Sequence, residues 1–267
     1  PGIAVGEPRA GSFLNTGTPR GLVTYSDAQG VELQALRVAI NGQDRTALFT
    51  VGADRAEAVL PEALRLPEGE ATVVAEIKDL AGNRSATPPL RFVVDTIAPV
   101  AAVALPEPEA YLGTLPTLLR VSYGDGTGSG IAKVRILVDG VERTGEFAMG
   151  AGGAQASLPL ADGRHTVAVA VEDRAGNPAS DQGSFTVDTQ PPVVTIAAPA
   201  EGSYHRAAAV EVSGTAVDAD PQVVVEAQVG TGAPIACTVS AGSFTCSVPL
   251  AEGEAAVGSV VGDRVHQ

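Results

Sequence analysis

The 267-residue chain carries 31 acidic residues against 17 lysines and arginines, a formal net charge of −14. Nucleic-acid binding needs clustered cations to neutralise phosphates, so this balance argues against such a partner, and the scattered acidic excess reads as a solvated, self-repelling surface. No run approaches the roughly 18–20 consecutive apolar residues of a membrane helix; aromatics are 4% and tryptophan is absent, which leaves the packing to Val, Ala, Leu and Ile.

Near the start, Pro8 and Phe13 are separated by four residues, and Leu36 to Ile40 reads as a strand that ends at Asn41-Gly42. Asn-Gly is a hairpin signal because both central residues of a type I′ turn need positive φ. The Ala-rich stretch from Ala53 to Leu64 is expected to be a short helical turn or loop, because Pro61 breaks it and the surrounding pattern is β. A turn follows at Leu66-Pro67-Glu68-Gly69-Glu70, and then the most informative block of the chain: Ala71 to Asn83, with Val73, Ala75 and Ile77 alternating against Glu76 and Lys78. It closes on Asp79-Leu80-Ala81-Gly82-Asn83 and is followed by Phe92-Val93-Val94-Asp95-Thr96-Ile97-Ala98-Pro99.

About 94 residues later the same block returns as His165 to Asn177, with Val167, Val169 and Val171 inward and Asp173-Arg174-Ala175-Gly176-Asn177 at its end, followed by Phe185-Thr186-Val187-Asp188-Thr189-Gln190-Pro191-Pro192. A fixed period of this size means an array of like units, each burying its own core. Proline and aromatic recur at the same spacing as Pro106/Tyr111 and Pro199/Tyr204, and the late turn recurs at Leu160 to Arg164 and Leu250 to Glu254. Three units are therefore expected, over residues 1–97, 98–190 and 191–267. The third reads as incomplete, because no Ala-Gly-Asn turn and no Phe-x-Val-Asp-Thr strand follow Val257.

Short period-two segments with Gly and Pro at the turns predict an all-β fold of tandem antiparallel sandwiches. In the second unit Val134, Ile136 and Val138 alternate with Lys133 and Arg135 ahead of Asp139-Gly140; in the third, Val223 to Val229 takes the corresponding place. The linkers between Asp95 and Val100 and between Asp188 and Val193 are four residues long and proline-bearing. Proline restricts its own φ and the residue before it, so the joints are expected to be stiff. With a diameter on the order of 35 Å per unit, three in line make a rod of roughly 100 Å or more.

The Pro-x4-aromatic opening, the Asp-x-Ala-Gly-Asn turn and the Phe-x-Val-Asp-Thr-x-x-Pro exit together resemble the bacterial immunoglobulin-like domains found in tandem in surface proteins and adhesins. The resemblance implies a stalk or spacer at the cell surface or in a secreted protein, with neighbouring domains of the same protein as partners. It also implies calcium at the joints, with Asp79, Asn83 and Asp95 as candidates at the first and Asp173, Asn177 and Asp188 at the second. Without an ion the same turn is self-sufficient: Asp caps amides, Gly takes positive φ, and Asn tolerates the left-handed region.

Cys237 and Cys246 flank eight residues with a Gly turn at their centre. Two strands folding back there bring the sulfurs together, so a disulfide and an oxidising, extracytoplasmic setting are expected; no partner histidine lies nearby for zinc. The glycine-dense loop Tyr123 to Ile131 lacks the Lys of a phosphate-binding loop and reads as a mobile inter-strand loop, with ligand or ion contact through its exposed Asp125, Thr127 and Ser129 as the lesser alternative. His165, His205 and His266 occupy no equivalent repeat positions and read as surface histidines. No nucleophile elbow or metalloprotease motif occurs, so no catalytic residues and no required cofactor are expected. The competing reading is a glycan- or protein-binding module acting through end loops, with a host or neighbouring-cell protein or glycan as ligand. Sugar platforms expose Trp or Tyr, and the chain has no Trp and four Tyr: Tyr25, Tyr111, Tyr123 and Tyr204.

Overall fold

The computed structural model describes residues 1–251 and 256–262, the side chain of Val260 excepted. The turn expected over residues 250–254 lies mostly outside them, as does His266. Among the described residues there is no α-helix; short 3-10 turns at Thr46–Leu48, Glu62–Leu64 and Thr144–Glu146 interrupt an otherwise β chain.

Two sheets form the first unit. One runs Gly2–Glu7, Arg20–Ser26, Arg55–Val59, Thr50–Val51; the other runs Phe13–Leu14, Leu90–Val94, Gly69–Asp79, Val31–Ile40, Gln43–Asp44, with Arg84–Ala86 also on Gly69–Asp79. The second unit repeats this order: Val100–Leu105, Thr117–Gly124, Gly153–Leu158, Ala148–Gly150 in one sheet, and Tyr111–Leu112, Pro178–Val187, Gly163–Asp173, Ile131–Val138, Val141–Glu142 in the other. All pairs are antiparallel except those of the short aromatic strands, where Phe13–Leu14 and Tyr111–Leu112 run parallel to the exit strands. In the first two units the repeated aromatic therefore has a structural use: it begins the short strand that clasps the exit strand, whereas the third copy, Tyr204, lies outside any strand and is fully exposed.

Alternation along the central strands builds the cores. Ala71, Val73, Ala75 and Ile77 face inward with Phe92 and Val94 of the exit strand; Val167, Val169 and Val171 do so with Phe185 and Val187. Each Phe-x-Val thus seals one sandwich by removing roughly 150–250 Å² of ring surface from water. Asn41 and Asp139 both take positive φ, as the hairpin reading requires. The stretch Ala53 to Leu64 differs from expectation: Arg55–Val59 is a paired strand with Ala56 and Ala58 buried, and only Glu62–Leu64 makes the helical turn. Two-residue alternation outweighs the helix propensity of alanine once a neighbouring strand can bury those two positions.

In the third unit, one sheet comprises Val193–Ala198, Ala209–Val217, Ser243–Pro249 and Thr238–Ser240, and the other Ile235–Ala236, Val224–Val229 and Val257–Gly262. Val257 and Val261, the counterparts of Val167 and Val171, are half-buried rather than buried. Among the described residues no strand takes the place that Pro178–Val187 has beside Gly163–Asp173. Cys237 and Cys246 form a disulfide across the hairpin whose turn is Ala241-Gly242, with Cα atoms 4.5 Å apart.

Candidate functional site at the first junction

Register decides which carboxylates can meet. Val94 pairs with Gly69 and Val187 with Gly163, so each exit aspartate lies beside the beginning of the long central strand, while Asp79 and Asp173 lie at the end of it. Ten residues of strand separate the two ends, roughly 33 Å at about 3.3 Å per residue. Asp79 and Asn83 therefore do not join Asp95, and Asp173 and Asn177 do not join Asp188; the structure regroups both sets. Asp95, at the exit of the first unit, meets Asp173 and Asn177 of the second.

Asp95 is 2% exposed and Asp173 1%. Their neighbour is Asp125, in the glycine-dense loop: one carboxylate oxygen from each of Asp95, Asp125 and Asp173 lies within 4.8 Å of the other two. Around this triad the joint is clamped by hydrogen bonds. The Ser129 backbone N–H donates to Asp95 Oδ2 at 2.6 Å, and Asn177 Nδ2 donates to the Asp95 carbonyl at 2.8 Å and to Asp173 Oδ2 at 2.7 Å. The Asn177 backbone N–H holds Asp173 Oδ1 at 2.8 Å, and Ser129 Oγ accepts from the Ala175 N–H at 3.2 Å. Burial works to raise the Asp95 pKa, but hydrogen bonds from Ser129 and the Ile97 N–H outweigh it and hold the group below the ordinary carboxylate value. The Arg174 guanidinium completes the contact, 5.8 Å from the centre of the Phe13 ring, within cation–π range.

Ser129, expected to be exposed, is buried at 6% because its loop folds onto the exit of the preceding unit. Asp125 and Ser129, open in the sequence only as the lesser alternative for ion contact, lie outside the Asp-x-Ala-Gly-Asn motif, and nothing in that motif pairs them with Asp95 and Asp173. The signal for them is topological: the glycine-rich loop leads into Ile131, which pairs with Asp173 at the start of that turn.

The other candidates stand apart. Asp79 repeats the turn geometry, with Asn83 Nδ2 on its Oδ2 at 2.7 Å, and this bond leads the interactions that lower its pKa. Asp188 is 2% exposed; its Oδ1 accepts from the Gln190 N–H at 3.2 Å, and its Oδ2 has no partner among the described residues. His165 is not an ordinary surface residue. Nδ1 lies 2.8 Å from Asp139 Oδ2 and Nε2 2.7 Å from the Ala161 carbonyl, with the ring against Phe185.

Residues 123–189 match the family model described as a bacterial Ig-like domain. The match lies within the second unit. The match begins at Tyr123, just before the Asp125 loop, and ends just past the exit aspartate Asp188, so it takes in the loop and the turn that meet Asp95. The first unit repeats the strand order of the second, and the third repeats that of the second's first sheet.

Solved structures similar to the chain include fibronectin(III)-like modules of Clostridium thermocellum CbhA, 16% identical over 70% of this chain and 94% of that one, with a TM-score of 0.43. A tetra-tandem repeat from the extending region of a large adhesion protein is 23% identical over 98% and 73%, with a TM-score of 0.33. A Ca2+-stabilised adhesin of an Antarctic bacterium is 18% identical over 99% and 73%, with a TM-score of 0.31. Likeness at this level concerns fold alone. No curated protein matches the chain.

Proposed function

We propose that this chain is a structural spacer of a bacterial surface or secreted protein, whose tandem Ig-like domains hold a neighbouring domain away from the envelope. The observation that carries the reading is the clamp on Asp95: its carboxylate accepts from Ser129 and its carbonyl from Asn177, so the first unit's exit is bonded to two loops of the second. A joint held in this way resists bending, which is what a spacer needs and a flexible linker lacks. The disulfide of the third unit suits an oxidising, extracytoplasmic setting. Two of the four tyrosines suit it too: Tyr25 and Tyr123 are buried with their hydroxyls on backbone carbonyls, while Tyr204 alone is fully exposed, a single ring rather than a platform.

Calcium at the first joint belongs to the same reading. Three carboxylates within 4.8 Å of one another repel unless a cation or protons neutralise them. Calcium takes six to eight oxygens at about 2.3–2.6 Å, so Asp95, Asp125 and Asp173 would supply the charged part of the shell and water or carbonyls the rest. Calorimetric titration of the full chain with calcium is expected to show saturable heat and a rise in the melting temperature of the first two units. Asp125→Asn is expected to weaken binding at least tenfold. No heat together with unchanged melting would remove the ion from the reading and leave the hydrogen-bonded clamp. Small-angle scattering giving a compact particle instead of an extended one would overturn the spacer itself.

A further inference from the structure

The late turn of each of the first two units holds the linker that leaves that unit. In the first, Glu68 accepts the Thr96 N–H at 2.9 Å and also the Thr96 hydroxyl. In the second, Asp162 accepts the Thr189 N–H at 3.0 Å and the Thr189 hydroxyl at 2.9 Å, with the Gln190 side-chain amide 3.4 Å from the same carboxylate. Thr189 and Gln190 open the linker to the third unit, so the place of Asp162 fixes the direction in which that linker departs. Asp162 stays ionised through the neutral range, because the Thr189 hydroxyl and N–H hold it below the ordinary carboxylate value.

What differs is how the two turns are themselves held. The first has Pro67, whose ring fixes φ, and Ala71 at the start of the repeated block. The second has Ala161 in place of Pro67 and His165 in place of Ala71, and the imidazole takes over the restraint: Nε2 lies 2.7 Å from the Ala161 carbonyl and Nδ1 2.8 Å from Asp139 Oδ2. Both partners are acceptors, so both bonds exist only while the ring carries two protons. The side chain is 12% exposed and rests on Phe185, its uncharged register partner on the exit strand, which confines it to this position. The other charges around it are engaged elsewhere. Arg164, on its own strand, is bound to Glu109 and Ser184; Asp162, in the turn, to Thr189; and Arg143, whose charge reaches Asp139 from the hairpin, pairs with Glu146 at 3.7 Å.

We propose that His165 is a proton-operated latch on the second joint: doubly protonated, it ties the turn at Leu160 to Arg164 to the Asp139 hairpin and so fixes the linker that Asp162 holds; on losing one proton it releases the turn, and the linker with it. Burial works against the charged ring, yet the Ala161 carbonyl and the Asp139 carboxylate outweigh it and hold the pKa above the ordinary 6.5, so the latch is closed below that raised value and opens as pH climbs through it. The remaining proton stays on the nitrogen that faces the carboxylate, where the bond is charge-assisted, and Nε2 then turns a lone pair toward the Ala161 carbonyl. The first joint lacks the histidine and stays stiff over the same range. The inference deepens the spacer reading and rests on it: an array extended in acid gains one hinge as pH rises.

The test measures residual dipolar couplings of the full chain from about pH 5.5 to 8.5 at fixed calcium, with the His165 ring shifts followed alongside. The expected result is one alignment tensor shared by the second and third units at the acid end and separate tensors at the other, with the midpoint at the His165 titration, while the first and second units share one throughout. His165→Gln, neutral and polar at every pH, is expected to abolish the step; a step that persisted would belong to His205 or His266 and would overturn the latch. Asp162→Ala is expected to leave the histidine titrating and the second joint loose at every pH, and a joint still ordered in acid would overturn the route through the turn. Couplings inside the second unit report its fold, and the titration of the unaltered chain decides by itself if a variant fails to fold. A second joint indifferent to pH, with the first and second units still sharing a tensor, would overturn the latch and spare the spacer. Separate tensors at both joints at every pH would overturn both.

Discussion

His165 shows how one side chain can carry a condition-dependent contribution. A carboxylate on Nδ1 and a carbonyl on Nε2 are both acceptors, so only the doubly protonated ring satisfies both. Burial alone pulls its pKa down, but the Ala161 carbonyl and the Asp139 carboxylate outweigh that, and the net shift is upward; Asp139 is correspondingly held below its usual value, with Arg143 adding to the field. A raised folded-state pKa means stability that is fully present below the unfolded value near 6.5 and is lost as pH rises through the folded-state value. The melting temperature of the second unit is therefore expected to fall as pH climbs from about 6 to 8. His165→Ala should flatten that dependence and cost about 1–2 kcal/mol at pH 6. The first unit has Ala71 and Asn41 at these positions and should show no such slope, although its Asn41 Oδ1 accepts the Thr72 N–H at 2.8 Å as Asp139 Oδ1 accepts that of Thr166. Tyr25→Phe and Tyr123→Phe each remove a hydroxyl that bonds two backbone carbonyls and are expected to cost about 1 kcal/mol in chemical denaturation.

At the level of elements, the Asp-x-Ala-Gly-Asn turn has two uses built from one geometry. Its internal bonds end a long strand, and the spare capacity of its asparagine grips the unit before it. Asn177→Ala is expected to destabilise the second unit by about 1–3 kcal/mol, since it leaves the buried Asp173 carboxylate short of a donor, and to broaden the distribution of angles at the first joint seen by scattering. Asn83→Ala should cost a similar amount in the first unit but leave that angle unchanged. The hairpin closed by Cys237 and Cys246 is short, and a loop of that size is expected to contribute about 2–3 kcal/mol to the third unit. Reduction, or Cys237→Ser with Cys246→Ser, should lower the unfolding free energy of that unit by this amount in chemical denaturation and leave the first two unaffected.

Over the whole molecule, the charge of −14 and the exposed ion pairs set how the chain responds to solvent. Pairs such as Arg20 with Glu57 and Lys133 with Glu172 are solvent-exposed, where water and salt already screen them, so added salt should change stability little. The stronger effect of salt belongs at the joint, where Asp95, Asp125 and Asp173 crowd together. Without divalent cations, raising ionic strength is expected to stabilise the joint by weakening that repulsion; with calcium bound it should not. Scattering profiles at low and high salt, with and without chelator, separate the two cases.

The sequence by itself determined the all-β class, the period of the array, the hairpin turns at Asn41 and Asp139, the inward faces of the central strands and the pairing of Cys237 with Cys246. Each follows from local chemistry: alternation of apolar residues, positive φ at a turn, or two cysteines across a short hairpin. Only the tertiary structure decided which acids share a site. The span from Asp79 to Asp95 is short in sequence but runs through a hairpin return, so the register places these two residues at opposite ends of one sandwich, and the Asp95 partners come from Asp125, Ser129, Asp173 and Asn177 of the next unit. Nearness along the chain says nothing about such a meeting, because strand direction and the stacking of one unit on the next determine which ends face each other. The bonds of His165 were hidden for the same reason: Asp139 and Ala161 reach it from two different turns, and the repeat offers no equivalent in the first unit from which to read them.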